Sequence, residues 1–409
     1  MAETCHDQPV LRPEPGMLQE LVKGLHRQAA PWLASGLGTR LDWTSPVLPA
    51  PGNAETLVIS TCKLNQVVEH RAGDFTVTVQ AGHPLVELQA RLAEAEQWLP
   101  VDWPWGSGRD GEMSGSVGGL VARGLAGGLR QRHLGVRDQV IGIKVMRADG
   151  TIAKAGGQVV KNVAGYDLMR LMTGSWGCLG LITEVTLRTL PKPRCRAGLL
   201  MVGKTNQLET LRQQCLAGGL PPQRLDWWSA ALNGQTQPAL LLALASISPA
   251  ALEDQLNQTI HATNSLAIEV QRLDSEQLVQ QESRGWKRQE PVDGNTQHWL
   301  LEVGVLPSKA QDLLEAIDRL GVHCTLAAGQ GKGLAWSVDR KLEAHHVDQL
   351  RQRCHKLGGE LTVLKQPQEH VESLPSWSPA AAEPWIKAIK REFDPLQQLG
   401  RGRLPGVQH

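Results

Sequence analysis

The sequence is poor in two of the three aromatic residue types, with a single Tyr (Tyr166) and two Phe (Phe75, Phe393) beside 13 Trp in 409 residues. It has no long apolar run. The densest, Ala239–Ala245, is seven residues against the roughly 20 that a bilayer demands, which predicts no integral membrane span. The opening MAETCHDQPVLRPEPG is polar and partly acidic; without a basic n-region and an apolar h-region it predicts no secretory signal. The seven cysteines (Cys5, Cys62, Cys178, Cys195, Cys215, Cys324, Cys354) form no Cys-x-x-Cys pair. This argues against a zinc ribbon or an iron–sulfur cluster held by this chain alone, and no metal site is expected. An odd, scattered set points to free thiols in a reducing, cytoplasmic compartment. Net charge is also lacking: 42 Lys and Arg face 41 Asp and Glu, which argues against a nucleic-acid binder or a disordered acidic chain.

What is present is an ordinary globular composition, 41% hydrophobic and 20% charged, at a length that suggests two or three domains. Glycine clusters at Gly36–Gly38, Gly106–Gly128 and Gly156–Gly180 and thins after about residue 196. Residues 101–196 carry 14 basic and 7 acidic side chains, whereas residues 1–100 carry 7 and 11. A basic, glycine-rich segment inside a neutral protein points to one localised anionic ligand. Leu190-Pro-Lys-Pro-Arg194 reads as a linker. Before it, Leu57–Ser60, Phe75–Ala81, Val140–Arg147 and Gly180–Leu190 read as strands, with Phe75, Val77, Val79 and Ala81 on one face. Pro84–Gln97 repeats Leu85, Leu88, Leu92 and Ala95 at helical spacing. After it, strands at Arg196–Gly203, Ala239–Ser246, His298–Leu306, Gly333–Val338 and Glu360–Leu364 interleave with helices at Gln207–Cys215 and His345–Leu357. A further helix opens at Ser248-Pro249, and another follows the capping box Ser308-x-x-Gln311. That order predicts an antiparallel sheet with helices on one face. No internal repeat is visible.

Three motifs carry the chemistry. In Ala34-Ser-Gly-Leu-Gly-Thr-Arg40, two glycines two apart let successive N–H groups turn inward as a phosphate-binding nest, with Ser35, Thr39 and Arg40 as added donors; taken alone, such a loop is also an ordinary turn. Gly106-Ser-Gly-Arg-Asp-Gly111 satisfies G-x-G-x-x-G formally, but no strand precedes it and no amphipathic helix follows, so it is not a Rossmann fingerprint. Ser114-Gly-Ser-Val-Gly-Gly119 would let main chain approach a flat or charged ligand, with Arg109, Arg123, Arg130, Arg132 and Arg137 nearby in sequence. The third motif, Gly156–Glu184, holds Tyr166 and Asp167 after Gly165; Tyr166 is either ligand-facing or a core ring. His345-His346 opens a helix, where neighbouring residues diverge by about 100°, so the pair does not converge on a ligand.

The order of these motifs resembles the FAD-binding domain of the vanillyl-alcohol-oxidase/PCMH flavoprotein superfamily over about residues 30–196. The run includes Ser35–Arg40, Leu64-Asn-Gln-Val-Val68, Gln80-Ala-Gly82, Gln97-Trp-Leu-Pro100, Gly115-Ser-Val-Gly-Gly119, Val136-Arg-Asp138, Lys161–Leu168 and Gly174–Glu184. Within it, Gly156–Asp167 looks most like the glycolate-oxidase E-subunit branch. Lys390-Arg-Glu-Phe-Asp-Pro395 and Gly400-Arg-Gly-Arg-Leu404 resemble that branch's terminal segment, although Leu399-Gly-Arg401 replaces the usual Asn-Pro. The resemblance implies an α+β chain: a PCMH-type two-lobed FAD-binding domain (1–196), a smaller ferredoxin-like α+β cap domain (197–375), and a carboxy-terminal segment (376–409) packing back on the first. It implies noncovalent FAD, since the loop Ser35–Arg40 holds no His. The diphosphate would lie on Ser35, Gly36, Leu37, Gly38, Thr39 and Arg40, and the dinucleotide along Gly115, Ser116, Val117, Gly118 and Gly119. The adenosine half would meet Gly180 and Ile182, and the isoalloxazine would lie near Tyr166. Asp138 and Arg403 also fall in the family's cofactor-binding pattern.

The family's catalytic subunits carry a His-rich, carboxylate-bearing motif after the linker, and no counterpart is found here, so no catalytic residue is assigned. The reading that follows is an FAD-binding subunit of a glycolate-oxidase-type complex, taking glycolate or another small 2-hydroxy acid. A homologous catalytic flavosubunit and an iron–sulfur subunit would be its partners, and any membrane contact would be peripheral, through the complex. The alternatives are a self-sufficient FAD-linked D-2-hydroxy-acid dehydrogenase and a non-redox assembly subunit with a flavin fold.

Overall fold

The computed structural model describes residues 8–49, 55–102, 115–157, 167–218, 222–285, 298–337, 342–367 and 374–407. The chain divides into two units. The first comprises Met1–Leu125, Gly135–Lys192 and Trp377–His409; the second comprises Ala126–Leu134 and Pro193–Ser376. The division near the proline-rich linker falls at 192/193, and residues 126–134, expected in the first domain, group with the second unit.

In the first unit, β1 (Val10–Leu11), β2 (Trp32–Ser35) and β3 (Leu57–Ser60) form a small parallel sheet in the order β1-β3-β2. Helix α1 (Leu18–Arg27) buries Leu18, Val22 and Leu25, one stripe at helical spacing, in a core with Trp32 and Ile59. The chain continues through β4 (Val67–Arg71), β5 (Thr76–Gln80), β6 (Gln97–Trp98), β7 (Val140–Met146), β8 (Ile152–Gly156), β9 (Leu181–Arg188) and β10 (Leu190–Pro191). Five of these form an antiparallel sheet in the order β4-β5-β9-β7-β8, while β6 pairs with β10. Helix α2 (Leu85–Ala93) lays Leu85, Leu88 and Leu92 on a core with Val77 and Val79. Helices α3 (Val117–Arg123), α4 (Arg130–His133, in the second unit), α5 (Val136–Gln139) and α6 (Leu168–Met172) are short. The inward stripe expected to begin at Phe75 begins at Val77 instead. Phe75 has φ +54° at the end of a tight turn and is 39% exposed, so its ring leaves the face that Val77 and Val79 share.

The second unit runs β11 (Cys195–Val202), α7 (Thr205–Ala217), β12 (Arg224–Trp228), α8 (Ala230–Asn233), β13 (Ala239–Ser246), α9 (Pro249–Asn264), β14 (Glu269–Leu273), α10 (Ser275–Arg284), β15 (Leu300–Gly304), α11 (Ala310–Leu320), β16 (His323–Ala327), β17 (Lys332–Trp336), α12 (Ala344–Lys356) and β18 (Leu361–Lys365). Its eight strands form one antiparallel sheet in the order β14-β11-β13-β12-β16-β17-β15-β18. Each half is a βαββαβ unit, β11-α7-β12-β13-α9-β14 and β15-α11-β16-β17-α12-β18, with the fourth strand beside the first. The halves join edge to edge through β12 and β16. The ferredoxin-like arrangement is thus doubled, an internal repeat of topology that the residues do not display. Ser248 caps α9 with Pro249 at its first position, as its sequence predicts. Ser308 does not cap α11: Pro307–Lys309 makes a 3-10 turn, and the helix opens at Ala310 without a side-chain cap. His345 and His346 stand closer than a helical divergence suggests, with ring centroids 3.8 Å apart, because His346 Nδ1 turns back to accept from the Glu343 amide. Among the described residues, no group of three His, Cys, Asp or Glu could hold a metal ion.

The carboxy-terminal segment of the first unit carries α13 (Glu383–Phe393). Buried Lys390 donates to Cys178 O (2.7 Å), Leu399 O (2.6 Å) and Asp394 Oδ2 (2.6 Å). Asp394 also accepts from the Gln398 and Leu399 amides. Removing one member of such a buried pair leaves an uncompensated charge. Lys390→Met is expected to cost about 3–5 kcal/mol in urea unfolding of the full chain, and a loss under about 1 kcal/mol would show that the pair does not anchor this segment.

A pH test applies to the second unit. Asp318 on α11 accepts from the Ala230 amide at 2.7 Å, and burial pushes its carboxyl up to about 6 from 3.8. Between those values the native state binds the extra proton, so Asp318 contributes stability as pH falls from 7 towards 5. Wild type should gain on Asp318→Asn over that range in urea unfolding; identical pH dependence of the two would refute the assignment.

Candidate functional site

The site begins where β2 ends. After Ser35 the chain turns through Gly36–Leu41, and the turn needs glycine at 38, where φ is +79°. The end of β3, the parallel neighbour, holds this turn. Thr61 donates its amide (2.8 Å) and hydroxyl (3.2 Å) to Ser35 O, and Ser60 Oγ donates to Gly36 O at 2.7 Å. Among the described residues, no hydrogen bond engages the amides of Gly36, Leu37, Gly38 and Thr39. Four successive donors without a protein acceptor, beside a cavity, are a ready anion site.

The facing wall is the start of α3. Ser116 is its N-cap and accepts from the Gly119 amide at 3.1 Å. The Val117 and Gly118 amides donate to His83 O (3.0 Å) and Ala81 O (2.7 Å). Glycine is required for this approach. A Cβ on Gly118 would lie 2.8 Å from Ala81 Cβ, and one on Gly36 would lie 1.9 Å from Ser116 Oγ. The third wall is the turn into β9. Trp176 and Gly177 have φ +55° and +72°, and the Trp176 amide donates to Ala122 O at 2.8 Å.

Two arginines set the electrostatics. Burial pushes Arg40 down to about 10. Arg123 is held well below the usual arginine range by burial first, then by the charges of Arg403 and Arg40. Arg123 Nη2 donates to Arg40 O at 2.6 Å, and its guanidinium lies 4.1 Å over the Trp176 ring. Trp176 in turn meets Trp377 edge-on at 5.1 Å. Positive charges crowded into a partly desolvated pocket are relieved by an anionic ligand.

The structure brings Ser35, Gly36, Leu37, Gly38, Thr39, Arg40, Ser116, Gly118, Gly119, Gly180 and Ile182 around one cavity. Four other expected residues do not line it. Gly115 backs the Arg40 guanidinium, where a Cβ would meet Nη1 at 2.7 Å. Val117 points into the core. Asp138 is occupied at the start of α5, accepting from the Gly135 amide at 3.1 Å. Arg403 donates to Trp43 O and to Thr44 Oγ1. Tyr166 lies outside the described residues. Among the lining residues that sequence reasoning did not assign to the cofactor are Thr61, Arg123 and Trp176. Arg123 carried a signal only as one of several basic residues, and Trp176 only as a large residue between Gly174 and Gly177.

Residues 12–156 match the FAD binding domain family. Over 133 residues the chain is 43% identical to glycolate oxidase subunit GlcE of Escherichia coli strain K12, covering 32% of this chain and 37% of that protein. Over 171 residues it is 34% identical to glycolate oxidase subunit GlcD of Bacillus subtilis strain 168, covering 42% and 34% respectively. Its matches thus span little more than a third of these relatives. A solved structure of alkyldihydroxyacetonephosphate synthase superposes with a TM-score of 0.66 at 16% identity, over 97% of this chain and 77% of that one. The family match therefore defines a class, chains with an FAD binding domain, here over residues 12–156 of a two-unit α+β fold. Within that class, the sequence is similar to glycolate oxidase subunits.

The cradle fits a dinucleotide: unpartnered loop amides, paired arginines and glycines where any Cβ would collide. Gly36→Ala is expected to dislodge Ser116 from its cap, a loss of about 1 kcal/mol of stability. The same change should weaken FAD at least about tenfold. Titration of the full chain with FAD beside its urea midpoint checks both; unchanged affinity would mean that the cavity is not the cofactor site.

Proposed function

We propose that this chain binds FAD noncovalently in its first unit and serves as the FAD-binding subunit of a glycolate-oxidase-type complex. There it supports oxidation of a small 2-hydroxy acid, glycolate to glyoxylate, with electrons passed to a partner. The observation that carries the proposal is the set of amides Gly36–Thr39, without a partner among the described residues, in a cavity flanked by Arg40 and Arg123. When bound, FAD supplies the two-electron acceptor, and the protein supplies position and electrostatics.

The chain's own residues divide that work. The loop amides and the Arg40 guanidinium would neutralise the diphosphate. Arg123 holds the loop in shape through Arg40 O. Gly118 and Gly180 leave room for the ligand's length, and the Trp176 indole walls one side of the cavity from water. The loop holds no His or Cys for a covalent link. A catalytic residue is not assigned, because the second unit carries no His-rich carboxylate motif. The similarity to GlcE and GlcD supports a homologous flavosubunit as partner, and the proposal adds an iron–sulfur subunit to take electrons onward. No helix among the described residues is long and apolar enough to cross a membrane, and the proposed placement is cytoplasmic, touching a membrane only through the complex.

The full chain purified and supplied with FAD should retain one flavin per chain. It should oxidise glycolate with an artificial acceptor only when the partner subunits are added. A folded chain that retains no FAD refutes the proposal. Turnover by the chain alone would instead favour a self-sufficient 2-hydroxy-acid dehydrogenase. A Gly38→Val chain that loses FAD yet leaves the activity of the complex intact would favour an assembly subunit.

A further inference from the structure

The carboxy-terminal segment touches the cofactor loop's flanks without lining its cavity. Ahead of the loop, the Trp32 amide donates to Gln398 O at 2.9 Å, and the Gly400 amide donates to Trp32 O at 3.0 Å. This makes a parallel bridge from Trp32 to Leu399 that extends the β1-β3-β2 sheet past β2. Beyond the loop, Arg403 donates to Trp43 O and to Thr44 Oγ1 at 3.3 Å, and the Leu48 amide donates to Arg401 O at 3.1 Å. Thr44 has φ +70°, a left-handed conformation that an ordinary residue holds only when its surroundings impose it. Gly400 and Gly402, at φ +59° and +75°, let the tail pass at these distances; a Cβ on Gly402 would meet the Leu48 side chain at 2.4 Å. The tail is itself fixed by Lys390 and Asp394, which bond the carbonyl or amide of Leu399 and the amide of Gln398.

We infer that residues 398–403 are the positioning element of the loop Ser35–Arg40: they grip the chain on both sides of it and so hold its amides in a binding-competent shape before any ligand arrives. Arg403 is then a positioning residue that acts through Trp43 and Thr44 rather than through the ligand. A loop whose donors have no acceptor among the described residues has little internal reason to keep one shape, and fixing both of its ends removes an ordering cost from binding. The effect on cofactor affinity rests on the FAD reading above; the effect on the loop itself does not.

The test compares wild type, Arg403→Met and Arg403→Lys as full chains. Hydrogen exchange of peptides covering residues 33–48 is measured without cofactor, alongside FAD titration by flavin fluorescence. Losing a charged hydrogen bond of this kind should speed exchange in those peptides by about tenfold or more in Arg403→Met, and raise the FAD Kd by a similar factor. Exchange in β5, β7 and β9 should stay at wild-type rates. Arg403→Lys, which keeps the charge and one donor, should recover part of both, and it decides the matter alone if the Met variant does not fold. Unchanged exchange at 33–48, or acceleration spread evenly over the first unit, overturns the inference. A wild-type chain that takes up no FAD while the local exchange difference persists would refute the functional reading and leave this one standing.

Discussion

The candidate site depends on where two carbonyls point. The end of β3 draws Ser35 O and Gly36 O to itself through Thr61 and Ser60. With those acceptors committed, the amides that follow have no partner among the described residues, and the chain can turn because Gly38 reaches a positive φ. Parallel pairing of β2 with β3 sets Ser35 beside Ser60, so the register of a short sheet decides the chemistry of the loop. The α1 stripe and Trp32 bury that sheet and hold the register.

Charge is the second constraint. Arg40 and Arg123 are linked through a backbone carbonyl, share a pocket with an indole, and oppose one another and Arg403 electrostatically. Like charges brought together in a partly desolvated pocket favour an anion there. The buried Lys390–Asp394 pair works differently: each member has its partner, and between them they fix the segment that carries Arg403.

Much of this was legible in the residues. The turn at Ser35–Arg40 could be read because glycine spacing reports backbone freedom directly, and Gly38 takes a positive φ there. The helix stripe Leu85, Leu88, Leu92 and the strand Ala239–Ser246 were visible for the same kind of reason, a regular period. What escaped depends on convergence across the chain. Arg123 meets Arg40 O and the Trp176 ring only through the fold. Asp138 and Arg403 sit in motifs that match the family pattern, yet in this molecule they satisfy backbone groups beside their own positions or beside Thr44. Phe75 and Ser308 depart from their local patterns because a turn overrides the pattern in each case. The doubled βαββαβ unit was hidden because its halves share strand order and not sequence: Leu208 and Leu211 on α7 answer to Leu313, Leu314 and Ile317 on α11.

The second unit shows how a fold of this size is assembled: two halves share one sheet and one hydrophobic core, which includes Trp227 and Trp299. The chemistry argued above belongs to the first unit. A crystal structure of the full chain soaked with or grown in FAD tests that claim most directly. The account predicts the diphosphate within hydrogen-bond distance of the amides of residues 36–39 and of the Arg40 guanidinium. FAD bound elsewhere in the chain, or a cavity that remains closed to it at saturating concentration, would contradict it.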